Sequence, residues 1–335
     1  MEPEIFDVII IGAGPAGIAS AIYAVRKSLK VLILTKTVGG QAANSSEVEN
    51  YPGFTMITGR DLAKQFRLEL LNFENNGLWL KEGVEVTNLS GVCPDFIVET
   101  SEGQKYHGKT ILIASGRIPK QLSVPGEKEL FGRGVATCTT CDAPFYLMKD
   151  VAVVGGGNSA LDAAFALQKV AKSVTIINIG PNLQGDAILL KNVTSSPKVK
   201  VLNNCKILEI LGEQAVGGIK VRDNTINQEQ IIPVSGVFVE VGWTPSTGFD
   251  KLTKKNQKGE IEVDEYGATS APGIYAAGDV NDIWGEQIVI AAGEGAKAAL
   301  KLAEYLSKVP DQETVRQPEP RTVLVNINSG AGVVS

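Results

Sequence analysis

The stretch Phe6–Gly17, FDVIIIGAGPAG, decides the fold. An apolar run of strand length, interrupted only by Asp7, ends abruptly in a glycine-rich turn. Such a run fits a parallel strand covered on both faces. A helix-like segment, Ile18–Lys27, and a second apolar run, Val31–Leu34, follow. Strand, glycine turn, helix and strand together make a dinucleotide-binding unit. Its glycines have separate tasks. Gly12 makes a tight turn, Gly14 lets a pyrophosphate approach the backbone, and Gly17 lets helix and strand pack closely. The phosphates belong at the helix N-terminus, where unpaired N–H groups and the dipole favour anions.

The pattern recurs. Asp150–Val154, DVAVV, leads into GGGNSA at Gly155–Ala160, then a helix-like LDAAFALQKV and a strand-like SVTIIN. Thr35 follows Gly12, and Asn178 follows Gly155, by the same 23 residues. That is close to the distance of about 20 residues at which such units read a ribose. Two dinucleotide turns imply two dinucleotides, and a bound flavin with a diffusible nicotinamide is one pair that meets for hydride transfer. Two glycine-rich turns without ligands are the alternative, and the duplication argues against it.

The 335 residues suffice for about two domains. An apolar fraction of 44% and a charged fraction of 21% allow a sizeable core. A net charge of −5 argues against a nucleic-acid surface, which needs a basic stripe. The acidic start, MEPEIFDV, is not that of a signal peptide. The apolar segment Val8–Leu34 is broken by glycines, Pro15 and basic residues, so no membrane span is expected. A cytoplasmic location is the expectation. Thr110–Gly116 and Val237–Gly242 are strands ending in glycine turns, each followed by a proline-containing stretch. They read as two crossings, near Arg117 and Ser246, between a split first domain and an inserted second one. An insertion held by two strands can hinge.

Thr137–Tyr146 reads TCTTCDAPFY and places Cys138 and Cys141 just before the second glycine turn. Structural zinc needs four ligands. The other cysteines, Cys93 and Cys205, are isolated and the single histidine, His107, stands alone, so no metal site is expected. A structural disulfide is disfavoured in a reducing compartment. A redox couple fits better: one thiolate attacks a substrate disulfide and the other resolves the mixed disulfide.

GAGPAG, GGQ at Gly39–Gln41, ENYPG at Glu49–Gly53, CTTCD, GGGNSA and GIYAAGD at Gly273–Asp279 occur in this order between about Ile5 and Ser307. Together they resemble the low-molecular-weight thioredoxin reductases and the reductase portion of the alkyl hydroperoxide reductase flavoprotein subunit. The resemblance implies an α/β fold of two Rossmann-like domains: an FAD domain, 1–117 and 247–307, split by an inserted pyridine-nucleotide and disulfide domain, 118–246. It also implies a homodimer. Gly12, Gly14, Pro15, Ala16 and Gly17 would hold the FAD pyrophosphate, with Thr35 and Lys36 near its adenosine ribose. Gly40, Gln41, Asn50, Ala114 and Gly116 would lie along the cofactor, and Asp279 by its ribityl–pyrophosphate region. Gln287 and Ile288 would open a helix beside the flavin, where the dipole favours a negative ring. Gly155, Gly157, Asn158, Ser159, Ala160 and Asn178 would bind NAD. Cys141 would face the flavin, Cys138 would attack the protein partner, and Asp142 would move the proton. The inserted domain would turn so that disulfide and nicotinamide reach the flavin alternately.

An NADPH enzyme needs cations for the 2′-phosphate. The segment Asn178–Asp186, NIGPNLQGD, has none, which favours NADH over NADPH and leaves a reduced deazaflavin or ferredoxin open as donor. The chain starts at the FAD strand, so the expected acceptor is a separate thioredoxin- or glutaredoxin-like dithiol protein. Two rivals share the fold: a ferredoxin or flavodoxin reductase, which has no need of a CxxC, and a non-catalytic redox sensor. The tail 308–335 reads as a linker followed by a short apolar run, VLVNI, with a dimer-bracing arm as one role.

Overall fold

A computed structural model describes residues 4–45, 48–74 and 76–309, with the backbone alone at positions 140 and 141. The expectations for the tail beyond residue 309 lie outside the described residues. The first glycine turn joins β1 (Ile5–Ala13) to α1 (Pro15–Arg26), and β2 (Val31–Val38) returns beside β1 in parallel. After α2 (Gly59–Leu71) come β3 (Leu78–Glu82), β4 (Val86–Val92), β5 (Asp95–Thr100) and β6 (Lys105–Ile113). The strands lie in the order β3-β2-β1-β6-β5-β4. β1 is therefore central and covered on both faces, which explains the apolar run that follows Asp7: Val8, Ile9 and Ile10 are all buried.

The chain then leaves through β7 (Arg117–Pro119) and builds a second unit. Its elements are β8 (Val135–Ala136), α3 (Thr139–Asp142), β9 (Asp150–Val154), α4 (Asn158–Val170), β10 (Ser173–Ile177), α5 (Ala187–Thr194) and β11 (Val199–Leu202). A meander of β12 (Cys205–Leu211), β13 (Gly218–Asp223) and β14 (Gln228–Ile232) precedes β15 (Gly236–Val239). The parallel sheet runs β11-β10-β9-β15-β8. β16 (Trp243–Pro245) leads back, and β17 (Ile274–Ala276) joins β6 of the first sheet. α6 (Ile288–Leu306) then packs on α1. That packing is close. A Cβ on Gly295 of α6 would lie 2.0 Å from the Ala16 carbonyl oxygen, and Ser20 Oγ reaches both Ala16 O at 2.7 Å and Gly295 O at 3.0 Å.

The two connections are hydrogen-bonded to each other. β7 and β16 pair antiparallel, with Trp243 opposite Pro119 and Pro245 opposite Arg117. Ser246 N donates to Gly116 O at 2.9 Å, and Ser115 Oγ to Ser246 O at 2.7 Å. One two-stranded ribbon thus carries the second unit. No helix among the described residues is long and apolar enough to cross a membrane.

The helices differ in one respect from the sequence reading. α1 begins at Pro15 and α4 at Asn158, earlier than the apolar periodicity starts. The glycine turns themselves supply the caps, Gly14 and Gly157, and Pro15 suits the first turn, where its missing N–H is not needed.

Candidate functional site

The first turn is shaped by what its glycines exclude. Gly12 has φ of 104°, and a Cβ there would lie 2.4 Å from the Ala114 carbonyl oxygen. A Cβ on Gly17 would lie 2.0 Å from the Gly12 carbonyl oxygen. A Cβ on Gly14 would meet, among the described residues, only Gly40 Cα, 4.0 Å away. Gly14 caps α1 without any side-chain acceptor, so the first N–H groups of the helix face open space between two bare backbones. This is the shape and polarity a pyrophosphate needs. Ala16 lies under the loop before α6, since a Cβ on Gly278 would lie 2.9 Å from Ala16 Cβ. Gly116 adopts φ of 62°, and a Cβ placed there would meet nothing within 4 Å among the described residues.

Around this turn the structure gathers residues from distant segments. Asn50 Nδ2 donates to Gln287 Oε1 at 3.0 Å, and Gln287 caps α6, whose first residue is Ile288. Gln41 and Asn44, in a 3-10 turn over Gly40–Asn44, bond each other at 3.0 Å, and Gln41 Nε2 reaches Arg117 O at 3.4 Å. The Asp279 carboxyl lies largely out of water, and burial raises its pKa above the ordinary value, with Glu286 adding and Arg117 opposing. Hydroxyl donors of a sugar alcohol would stabilise such a carboxylate. Lys36 is exposed and paired with Glu85 at 2.7 Å.

The positions expected at the two riboses are both engaged internally. Thr35 Oγ1 accepts from Ala13 N at 3.2 Å and donates to Thr37 O at 2.8 Å. Asn178 Nδ2 donates to Gly180 O at 3.1 Å and to Asn203 Oδ1 at 2.9 Å, while its Oδ1 accepts from Gly180 N at 3.1 Å. Each braces its own glycine turn, and no donor of either side chain is left for a ribose hydroxyl. The second turn otherwise repeats the first. Gly155 has φ of 143° and lies against the Glu240 carbonyl, Gly157 has nothing within 4 Å, and Ala160 is buried. Asn158 Oδ1 accepts from Asp186 N at 2.8 Å and so ties the loop after β10 to the start of α4.

The cysteine motif lies between the units. Cys138 is disulfide-bonded, and Cys93 and Cys205 are free. The side chain of Cys141 lies outside the described residues. Cys138 Sγ is 3.4 Å from Asn44 Oδ1 of the first unit, in a cavity of about 190 Å³ whose walls include Gln41, Ser159, Asp162, Glu240 and Trp243. Asp142 follows the motif, and burial raises its carboxyl pKa. Among the described residues no cluster could hold a metal.

A disulfide seated between two dinucleotide-binding turns is the arrangement of one known family, and the sequence matches its profile, described as pyridine nucleotide-disulphide oxidoreductase, over residues 6–295. The chain belongs to the pyridine nucleotide-disulphide oxidoreductase family. Among relatives of this family, the chain is 36% identical over 313 residues to a protein named NADH dehydrogenase from Bacillus subtilis (strain 168), covering 91% of this chain and 59% of that one. It is 34% identical over 306 residues to the F component of the alkyl hydroperoxide reductase of Staphylococcus epidermidis, covering 91% and 60%. The chain thus spans about three-fifths of the length of these relatives. The thioredoxin reductase of T. acidophilum superposes with a TM-score of 0.82 at 39% identity, over 90% of this chain and 98% of that one. The Lactococcus lactis thioredoxin reductase, in a form named the FR conformation, gives 0.85 at 31% identity, over 91% and 100%. The fold is that of the low-molecular-weight thioredoxin reductases of this family, with two Rossmann-like dinucleotide-binding domains.

Several residues of this oxidoreductase site carry no local sequence signal. Arg117, read from sequence only as a crossing point, donates from Nε to the Asp279 carbonyl at 2.7 Å and pairs with Glu260 at 2.6 Å and Glu286 at 2.7 Å. Arg117 and Glu260 are both largely out of water. Arg117→Ala leaves the Glu260 carboxylate buried without its cation, and a destabilisation of about 3–5 kcal/mol is expected in denaturant unfolding. A loss below about 1 kcal/mol would show that water replaces the guanidinium. Asn44, Glu240 and Trp243 were likewise missed, since each enters the site through contacts with distant segments.

Proposed function

We propose that the chain is an FAD-dependent disulfide reductase that takes electrons from NADH and delivers them through the Cys138–Cys141 pair to a thioredoxin- or glutaredoxin-like protein. The observation that carries this reading is the seat of the Cys138 disulfide against Asn44 and Gln41, in the unit whose first turn fits a dinucleotide. The residues present fit FAD: an open helix start at Gly14 with no side-chain cap, a half-buried carboxyl at Asp279, and Gln287 with Asn50 at the start of α6. When bound there, FAD would supply two-electron transfer between the nicotinamide and the disulfide. The chain's own residues hold and orient. Gly12, Gly14 and Gly17 shape the phosphate cradle, α6 presents its positive end, and Asp142, kept protonated more readily by burial, supplies a proton to the sulfur that leaves. The β7–β16 ribbon is the element about which the second unit would turn to exchange disulfide for nicotinamide. A cross-link across the cleft that leaves full turnover would refute that rotation.

An apolar surface beside the motif supports a protein acceptor. Phe145, Leu147 and Met148 follow Asp142 and are 71%, 65% and 67% exposed. Large apolar side chains grouped at the surface next to a reactive site mark an interaction face. Phe145→Ser is expected to raise KM for a thioredoxin-like protein about tenfold while leaving reduction of a small aromatic disulfide unchanged. Equal loss on both substrates would argue for a folding defect.

NADH is favoured because Asn178 is buried and internally bonded and the loop after it carries no cation. Ile179 is 68% exposed at the edge of this turn. Ile179→Arg is expected to raise kcat/KM for NADPH about tenfold, one charge-assisted phosphate contact, with little change for NADH. The deciding assay drives reduction of a thioredoxin-like protein with NADH, with NADPH and with reduced ferredoxin. No thiol formation with any donor would reject the reductase reading in favour of a redox sensor.

A further inference from the structure

Glu240 has no part in the steps described so far, yet it lines the cavity that holds Cys138. Its backbone closes the second glycine turn: Glu240 N donates to Val154 O at 2.8 Å, and its carbonyl oxygen fills the space a Cβ on Gly155 would need. Its side chain points the other way, into the motif. Thr139 Oγ1, on the residue directly after Cys138, donates to Glu240 Oε1 at 3.4 Å, and Thr139 itself is buried. Three residues on, Trp243 Nε1 reaches Ser159 Oγ at 3.4 Å. One short segment therefore touches both the cysteine motif and the dinucleotide turn.

The charge that acts on Glu240 is of its own sign: α4 brings Asp162, and Asp186 adds to the field at Asp162. The neighbouring cation, Lys120, is tied two residues further on, its backbone N–H donating to Gly242 O at 2.9 Å. The described residues lining the cavity include no Lys, Arg or His. A carboxylate placed so, half-buried and with one weak hydroxyl donor, holds its proton far above the ordinary range, and the pKa is pushed up to about 7, chiefly by burial. Asp142, next to the motif, is raised for the same reason but lacks the Thr139 contact.

We propose that Glu240 is a second proton-holding group of the disulfide site, acting on Cys138 through the Thr139 hydroxyl and setting how readily Cys138 becomes a thiolate. It is a positioning residue, and its role rests on the redox reading of Cys138. Neutral Glu240 leaves the thiol free to ionise, whereas ionised Glu240 adds a negative charge beside it and opposes proton loss. The two groups therefore titrate as a pair.

The test needs no nicotinamide and no protein acceptor. The flavin-loaded protein is reduced with dithiothreitol. Two thiolates of the reagent displace the protein sulfurs in turn, so the protein disulfide becomes two thiols and the reagent becomes a cyclic disulfide. The rate of Cys138 alkylation by iodoacetamide is then followed from pH 5 to 10, with the modified cysteine identified by mass spectrometry. In the wild type the profile carries a second inflection near pH 7. In Glu240→Gln that inflection is lost, and the rate at pH 8 rises about tenfold, equivalent to one unit of thiol pKa. Thr139→Val, which keeps the shape and removes the hydroxyl, should shrink the effect of Glu240→Gln in the double variant. Coincident profiles of wild type and Glu240→Gln overturn the proposal, and an undiminished effect in the double variant overturns the route through Thr139. Should Glu240→Gln fail to fold, Thr139→Val alone must shrink the inflection and move it above pH 7, because the ionised carboxylate loses its donor, and a profile that coincides with the wild type overturns the proposal. If dithiothreitol yields no alkylatable Cys138 in the wild type, the redox reading itself fails, an outcome distinct from coincident profiles.

Discussion

Cys138→Ser is expected to lower reduction of a protein disulfide by about 10⁴-fold or more, while bleaching of the flavin by NADH persists. A hydroxyl cannot form the mixed disulfide on which thiol exchange depends. Neither cysteine outside the motif can take its place. Cys205 lies on β12 and is 3% exposed, with burial and Asp223 raising its thiol pKa. Cys93 belongs to the first unit, where its Sγ would be 2.9 Å from a Cβ on Gly273. Stopped-flow absorbance separates the two half-reactions, since it follows the flavin directly while a coupled assay follows the acceptor thiols. Retained acceptor turnover would remove Cys138 as the attacking group. Loss of both half-reactions together would point to a misfolded cleft.

The second large effect concerns the cofactor. Gly14→Ala should leave the apoprotein folded and weaken FAD binding at least about 100-fold, because the added methyl group enters space empty of protein but needed by a phosphate. Gly17→Ala should behave differently. Its Cβ would lie 2.0 Å from the Gly12 carbonyl oxygen, so the turn itself must open, at a cost of about 1–3 kcal/mol in the apoprotein. Thermal melting of the apoproteins with flavin titration distinguishes the two. Stoichiometric FAD in Gly14→Ala would mean that the pyrophosphate does not approach this turn.

The contrast between these two glycines also shows what could be read from sequence. Gly12, Gly14 and Gly17 act within one turn, on atoms a few residues away, so their spacing already states their tasks. β1 and β9 were legible for a related reason: a strand buried on both faces leaves a continuous apolar run. The helix starts were less so, because Gly14 and Gly157 cap their helices without the polar side chain that usually marks a first turn. Beyond the turns, legibility falls with sequence separation. The contact between Cys138 and Asn44 spans 94 residues, that between Thr139 and Glu240 spans 101, and that between Arg117 and Asp279 spans 162. None leaves a periodic or local trace. Thr35 and Asn178 teach a narrower lesson. Their spacing placed Thr35 within β2 and Asn178 directly after β10, but whether such a residue faces a ribose or its own turn depends on hydrogen bonds that spacing does not encode.

The return of the chain through β17 and α6 has a consequence for synthesis. The second unit, from β8 to β15, is contiguous and has its own core, so it can fold while the chain is still being made. The first unit cannot, because β17 must add to β6 and Gly295 must settle on Ala16 before the space around Gly14 is closed. The second unit can therefore emerge from the ribosome folded before the space around Gly14 is closed. On the redox reading proposed above, Cys138 and Cys141 would in that interval lack the flavin that is to reduce them. Flavin supply during growth should accordingly govern the yield of active enzyme more than the yield of soluble chain.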